Sequence, residues 1–327
     1  MTLLLGCPVT DDLLGRWVLH MVSPRAPFYL ADDDRRLLPA GVIVLTRAEL
    51  AADYADLPLE ARDSYATYHV DHAGAWATLL DDGALDDLSP AARRALLRVQ
   101  WGLGRGQIYD RAMARDLCAG STLALAAIDP WTFDADGGDK VALQHRAWWA
   151  FPEEIQRRWL HWFVSRDRAD CIASSLEADD WAAMDRRYRE TVRHLAGAFL
   201  PCSGPNCFST TLAAVTPGAQ HAEAVSRLWL HQPPFHRALN ALGFQRIEHL
   251  RCIEDVSAGT ILVWFDDADV AQHACFVPAP GLALNKDAQG WFAPRQLVPL
   301  KRVLDDWQNE GLVLAALNLD SDACRSV

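Results

Sequence analysis

The chain has 327 residues, 50% of them hydrophobic and 23% charged, enough apolar material for a core and too much for intrinsic disorder. With 31 basic against 43 acidic side chains the formal net charge is -12, which disfavours broad electrostatic capture of nucleic-acid phosphate or anionic lipid. Eight cysteines at 7, 118, 171, 202, 207, 252, 275 and 324 are too sparse and irregular for a disulfide framework, so free thiols in a reducing cytoplasm are expected.

Leu4-Leu5-Gly6-Cys7 imitates a lipoprotein cleavage site, but only six residues precede the cysteine, short of the basic and apolar regions of a secretory signal. Cys7 reads instead as a small core hydrophobe. No apolar run approaches the roughly 20 residues a bilayer needs, and no membrane contact is expected. His69-Val70-Asp71-His72, with Asp63 nearby, has the spacing of half a metal site, but two histidines on a polar surface explain it more simply. No metal and no cofactor are expected.

Ser89-Pro90 opens a predicted helix through residue 99, with Ser89 as N-cap and Pro90 at the first helical position. Trp101-Gly102-Leu103-Gly104-Arg105-Gly106 follows as a turn, since no strand precedes it and the Lys-Ser/Thr ending of a phosphate loop is missing. Asp134, Asp136 and Asp139 form a solvated acidic turn without the closing glutamate of a calcium loop. Pro152-Glu153-Glu154 starts a second helix, to about residue 164, with acids at the positive end of its dipole. Tryptophans 148, 149, 159 and 162 around His145 and His161 read as core. A third helix over residues 179–199 places Trp181, Met184, Tyr188, Val192, Leu195 and Phe199 on one stripe.

Leu200-Pro201-Cys202-Ser203-Gly204-Pro205 cannot continue that helix and marks the clearest boundary. It divides a mainly helical domain, residues 1–195, from a second domain, residues 196–327. The first is a candidate cap or substrate-recognition domain. Beyond the boundary the sequence predicts a helix at Cys207–Val215, another within residues 235–242, and strands at Thr260–Phe265, 273–277, Leu282–Asn285 and 311–317. The fold class is α+β.

Gly204-Pro205-Asn206-Cys207 puts a cysteine where a tight loop becomes the first turn of a helix. Unpaired backbone N–H groups and the dipole there are expected to lower its pKa and favour the thiolate. A base follows as His273, at the head of an apolar strand, and Asn285 lies twelve residues further on the next strand. An amide there can hold one ring nitrogen and turn the other toward the sulfur. Gln289 or an acid of the Asp266-Asp267-Ala268-Asp269 turn is the alternative orienting group. The expected oxyanion donors are the Cys207 N–H and a second group, for which Ser203 and Asn206 are the candidates.

This constellation resembles the papain-like cysteine peptidase superfamily, in its NlpC-type and CHAP-type bacterial branch, over roughly residues 200–300. Cys207-Phe208-Ser209 takes the place of the family's Cys-Ser-Gly, Ala258-Gly259-Thr260-Ile261-Leu262-Val263-Trp264-Phe265 is similar to its Gly-led strand, and His273-Ala274-Cys275-Phe276-Val277 with Gly281-Leu282-Ala283-Leu284-Asn285 resembles its His-led hairpin. Asn206 stands where that family usually has Asp, and Phe208 replaces a small residue. The resemblance implies a papain-like domain with an N-terminal helix followed by antiparallel strands. It also implies a cysteine peptidase or amidase that forms an acyl-enzyme on a small peptide or peptidoglycan-fragment-like amide.

The order Cys, His, Asn favours the unpermuted branch and leaves acyl transfer as the runner-up chemistry. A catalytically inactive binding or scaffold protein on the same fold is the competing class. Two further uses of the cysteines compete with the nucleophile: Cys202 as a resolving thiol for Cys207, and zinc held by His273 and Cys275 with Cys202, Cys207 or Cys252. No paired Cys-x2-Cys supports the second.

Overall fold

The computed structural model describes residues 2–46, 49, 75–166, 168–247, 256–308 and 311–319. His69, His72, Asp63 and Cys252 lie outside the described residues. The chain divides into two units, Asp12–Phe163 and a second made of Met1–Asp11 with Val164–Val327. The second begins with a hairpin of β1 (Thr2–Leu4) and β2 (Cys7–Val9), whose turn residues Leu5 and Gly6 both have positive φ, 51° and 70°.

Within Asp12–Phe163 the helix Pro90–Gly102 starts as the sequence predicts, with Ser89 Oγ accepting the Ala92 N–H at 3.2 Å. The unit is not purely helical, however. It carries a sheet of β3 (Arg25–Leu30), β4 (Leu45–Thr46) and β5 (Trp76–Asp81) in the order β3-β5-β4. A second sheet joins β6 (Ile108–Asp110), β7 (Thr132–Ala135) and β8 (Gly138–Ala142) in the order β6-β8-β7. Most of these strands are too short to display a clear two-residue alternation, which is why periodicity misses them. The acidic run at 134–139 is the tip of the β7–β8 hairpin, with Asp134 opposite Asp139 and a two-residue turn at Asp136-Gly137, Gly137 and Gly138 having φ 84° and 113°. Trp148 and Trp159 are fully buried, and Tyr109 meets Trp159 and Trp162 edge-to-face at 5.1 and 5.5 Å. Trp148 and Trp159 form core, as their spacing suggests, whereas Trp162 is half-buried and Trp149 is 47% exposed, its Nε1 donating to His145 Nε2 at 2.8 Å.

In the other unit the helix expected over residues 179–199 is two helices, Ala178–Ala183 and Arg186–Leu195. The Asp185 carboxylate accepts the Arg187 N–H at 2.9 Å and caps a new helix, so the apolar stripe continues across a break. The helix Arg186–Leu195 belongs with the sheet beyond it, because Tyr188 packs edge-to-face on Phe276 at 4.9 Å. The division between units therefore falls at Phe163/Val164, ahead of the Pro/Gly/Ser stretch at 200–205.

That sheet has six antiparallel strands in the order β13-β12-β11-β10-β14-β9. They are β9 (Phe244–Ile247), β10 (Thr260–Phe265), β11 (Ala271–Ala279), β12 (Leu282–Asn285), β13 (Gln296–Pro299) and β14 (Val313–Leu319). Every residue of β10 is buried, as its unbroken apolar run requires of a central strand. Leu262, Trp264, Cys275, Val277, Ala283 and Val298 pack on one face beneath Leu300, Val303 and Leu304 of the helix Leu300–Asp306. Each such aliphatic contributes about 1.5–3 kcal/mol of burial. The helices Cys207–Val215, Ala219–Ser226 and Gln232–Ala241 complete the unit, which is α+β. No helix among the described residues is long and apolar enough to cross a membrane.

Candidate active site

Cys207 is the first residue of its helix, and the residue before it builds the cap. Asn206 Oδ1 accepts the Ser209 N–H at 3.1 Å while Ser209 Oγ accepts the Asn206 N–H at 3.0 Å, a reciprocal capping box. Asn206 Nδ2 donates to Leu230 O at 2.7 Å. Its Oδ1 and one Nδ2 hydrogen thus serve the loop, and Asn206 is the cap of this helix. Ser203 Oγ accepts the Trp291 N–H at 3.1 Å and Gly204 N–H donates to Gln289 O at 2.9 Å. Ser203 therefore ties the cysteine loop to the 286–293 loop.

The backbone N–H groups of Ala274 and then Phe208 lie close enough to the Cys207 sulfur to favour its thiolate. The Ala274 contact is available because the β11–β12 ladder starts at Phe276↔Leu284 and leaves the earlier edge of β11 unpaired by β12. These donors and the Lys286 charge favour the thiolate, yet burial outweighs them and pushes the thiol up to about 11. The lowered pKa expected from helix position alone is not found. The dipole acts on a sulfur that has lost its water.

His273 lies opposite Trp264 in the β10–β11 register and is almost wholly buried. Its Nε2 is 2.8 Å from Asn285 Oδ1, the contact proposed from the twelve-residue spacing. Asn285 Nδ2 donates in turn to Asp287 Oδ1 at 2.5 Å. A carboxylate accepts only from the NH2 end of the amide, so Asp287 turns the Asn285 carbonyl toward the ring. Nε2 then carries the ring proton and Nδ1 keeps its lone pair. Asn285 holds this nitrogen in the described structure, while the Asp266 carboxylate of the alternative acidic turn accepts from Ala268 N, Val270 N and Gln272 Nε2.

Burial pushes the imidazole down to about 3 against the opposing effect of Asn285, so it is neutral at neutral pH. Among the described residues no hydrogen bond joins the Cys207 sulfur to this ring. The sulfur instead takes the N–H of the next residue, Ala274.

Three contributors escaped the sequence reading. Asp287 follows Asn285 by two residues, and its carboxyl is raised by burial. Lys286 is buried, its Nζ donating to Ala288 O, Gly290 O and Ala293 O at 2.6, 3.0 and 2.6 Å, which folds the 286–293 loop around a fixed positive charge. Trp307, just past the helix Leu300–Asp306, lies flat on His273. The run Asn285-Lys286-Asp287, polar residues closing a buried strand, was the available signal for the first two.

His273 and Cys275 do share a face of β11, but among the described residues no group of three or more His, Cys, Asp or Glu is placed to hold a metal ion. Comparison with protein-family models, with curated proteins and with solved structures finds no match for this chain.

Proposed function

We propose that this protein is a cysteine-dependent amide hydrolase of papain-like design, acting through an acyl-enzyme on a small peptide or peptidoglycan-fragment-like amide. The observation that carries the reading is the chain Asp287–Asn285–His273, which leaves Nδ1 of a neutral imidazole as the basic atom on the strand whose next N–H holds the Cys207 sulfur. The sulfur attacks the amide carbon, His273 takes the thiol proton and returns it to the leaving amine, and water then cleaves the thioester. The Cys207 N–H, in the first turn of its helix, is the donor to the oxyanion. A neutral resting pair suits proton transfer during attack rather than a preformed ion pair. A reducing compartment suits the six unpaired thiols among the described residues.

The test is turnover of short peptides and wall-derived dipeptide amides by purified protein. Cys207→Ala and His273→Ala should each abolish it, and the double variant should lose little more than either single one, because nucleophile and base act as a unit. Full activity in Cys207→Ala sinks the reading. Transfer of the acyl group to an added amine or alcohol in preference to water would redirect it to acyl transfer. The non-enzymatic alternative draws on one specific observation, the burial that keeps both groups neutral. It predicts no turnover with any amide in either wild type or variant.

A further inference from the structure

Cys7 and Cys171 stand far apart in sequence and meet at the β13 edge of the six-stranded sheet. The Cys171 N–H donates to Leu5 O at 2.8 Å, and Ile172 N–H donates to Leu297 O of β13 at 2.9 Å. The approach depends on Gly6 at the turn of the amino-terminal hairpin. A Cβ at Gly6 would lie 2.4 Å from Cys171 O, a backbone atom that cannot step aside. Leu5 O also receives the Cys7 thiol at 3.5 Å, which sets that thiol beside the Cys171 sulfur. The same sulfur accepts the Leu297 N–H at 3.4 Å and further N–H groups from Ala173 and Gly197. Gly197 sits beside this sulfur at a positive φ of 74°, a conformation glycine adopts without strain.

We propose that Cys7 and Cys171 form a dithiol oxidation site, which a small peroxide converts to a disulfide that ties the amino-terminal hairpin to the sheet edge. The two sulfurs have unequal roles. Cys171 Sγ accepts the Leu297 N–H at 3.4 Å and its pKa is lowered, by the neighbouring Cys7 first and then by the surrounding N–H groups, whereas Cys7 donates its proton to Leu5 O at 3.5 Å and is raised. Cys171 is therefore the thiolate and Cys7 the proton-bearing partner.

The Cys171 thiolate attacks one peroxide oxygen, the O–O bond breaks, and Cys171 becomes a sulfenic acid as hydroxide leaves. The Cys7 sulfur then attacks the sulfenic sulfur. The S–S bond forms, the S–OH bond breaks, and the Cys7 proton leaves with that hydroxyl as water. The proton given up earlier by Cys171 neutralises the first hydroxide, so two thiols are oxidised and one peroxide is reduced to two waters. Both thiols are nearly inaccessible, at 0% and 4% exposure, which restricts the oxidant to a molecule of hydrogen peroxide's size. The site uses neither Cys207 nor His273 and stands independently of the hydrolase reading.

The experiment treats the full, folded chain with hydrogen peroxide at neutral pH, blocks remaining thiols with N-ethylmaleimide in denaturant, and maps the unreduced digest by mass spectrometry. The expected product is a Cys7–Cys171 linked peptide pair lacking two hydrogens. Cys7→Ser, with Cys7→Ala as a second variant should serine disturb folding, should instead leave Cys171 as a sulfenic acid that a 1,3-dione traps. Recovery of Cys7 and Cys171 as maleimide adducts from oxidised wild type overturns the proposal. So does linkage of either one to a different cysteine.

Discussion

The indole of Trp307 lies on the imidazole of His273 with ring centroids 4.1 Å apart and planes 7° from parallel. Stacking covers a face of the ring and leaves its edge, which holds both nitrogens, free for hydrogen bonds. It also removes water from a group whose protonated form needs it, and burial is the main reason His273 is pushed down to about 3.

A depressed folded-state pKa makes stability fall with acid. Above about pH 6.5 His273 is neutral in both states and costs nothing. Below that value the unfolded chain gains a proton that the folded one refuses, so the loss grows by about 1.4 kcal/mol per pH unit until the folded pKa near 3 is reached. Urea midpoints of wild type and His273→Gln measured from pH 7 to pH 4 should converge as pH falls. Trp307→Ala should raise the His273 titration toward 6.5 in an NMR pH series. An unchanged titration would assign the shift to burial by the sheet alone.

Asp287 sets the direction of the Asn285 amide, so its removal should show at the ring. In Asp287→Ala the Nδ2 group loses its acceptor and the amide is free to turn. Nitrogen NMR of His273 should change from one tautomer, protonated at Nε2, to a mixture. If the proposed hydrolysis holds, kcat should fall with little change in KM. A wild-type tautomer in the variant would remove Asp287 from the positioning chain.

Cys207 should be a slow thiol at rest. With its pKa near 11, only about one molecule in ten thousand is thiolate at pH 7, and alkylation by iodoacetamide should accelerate about tenfold per unit between pH 7 and 9. A rate already levelling off below pH 8 would show that the thiolate is stabilised far better than burial allows.

Asn206→Ala removes an N-cap and also leaves Leu230 O without its buried donor. The two losses together should cost about 2–4 kcal/mol, read from denaturant midpoints. Asn206→Asp keeps the cap and loses only the donor, so it should recover part of that cost. Equal stability for all three proteins would contradict the roles assigned to this amide.

Legibility in the sequence followed the length and purity of the pattern. Thr260–Phe265, Leu282–Asn285 and Cys207–Val215 have the bounds the sequence predicts, since the two strands are largely apolar runs fenced by turns and the helix follows directly on Gly204-Pro205-Asn206. The His273–Asn285 contact was readable too, because two adjacent strands joined by a short turn bring residues twelve apart side by side. The protonation of Cys207 was not. Sequence reveals a helix start, but the loss of water around a sulfur is created by segments as distant as β11. Lys286 and Asp287 read as solvent-facing charges until the 286–293 loop is seen to close over them. Met184-Asp185 interrupts a helix without disturbing the apolar stripe, so periodicity carries straight through the break.

The outer strand β13 also bears on how the molecule meets other chains. An outermost strand ordinarily offers a row of unfilled amides and carbonyls, a template on which a foreign strand can add. Here Arg295 O receives the Gly197 N–H at 2.8 Å, Arg295 N–H donates to Ala198 O at 2.9 Å, and Leu297 O receives the Ile172 N–H at 2.9 Å. Successive outward-facing groups are thus filled by the chain's own backbone. An extended peptide seeking to lengthen the sheet at this end would first have to displace the 172 and 197–198 segments, so the protein has a built-in guard against strand addition beside Asn285.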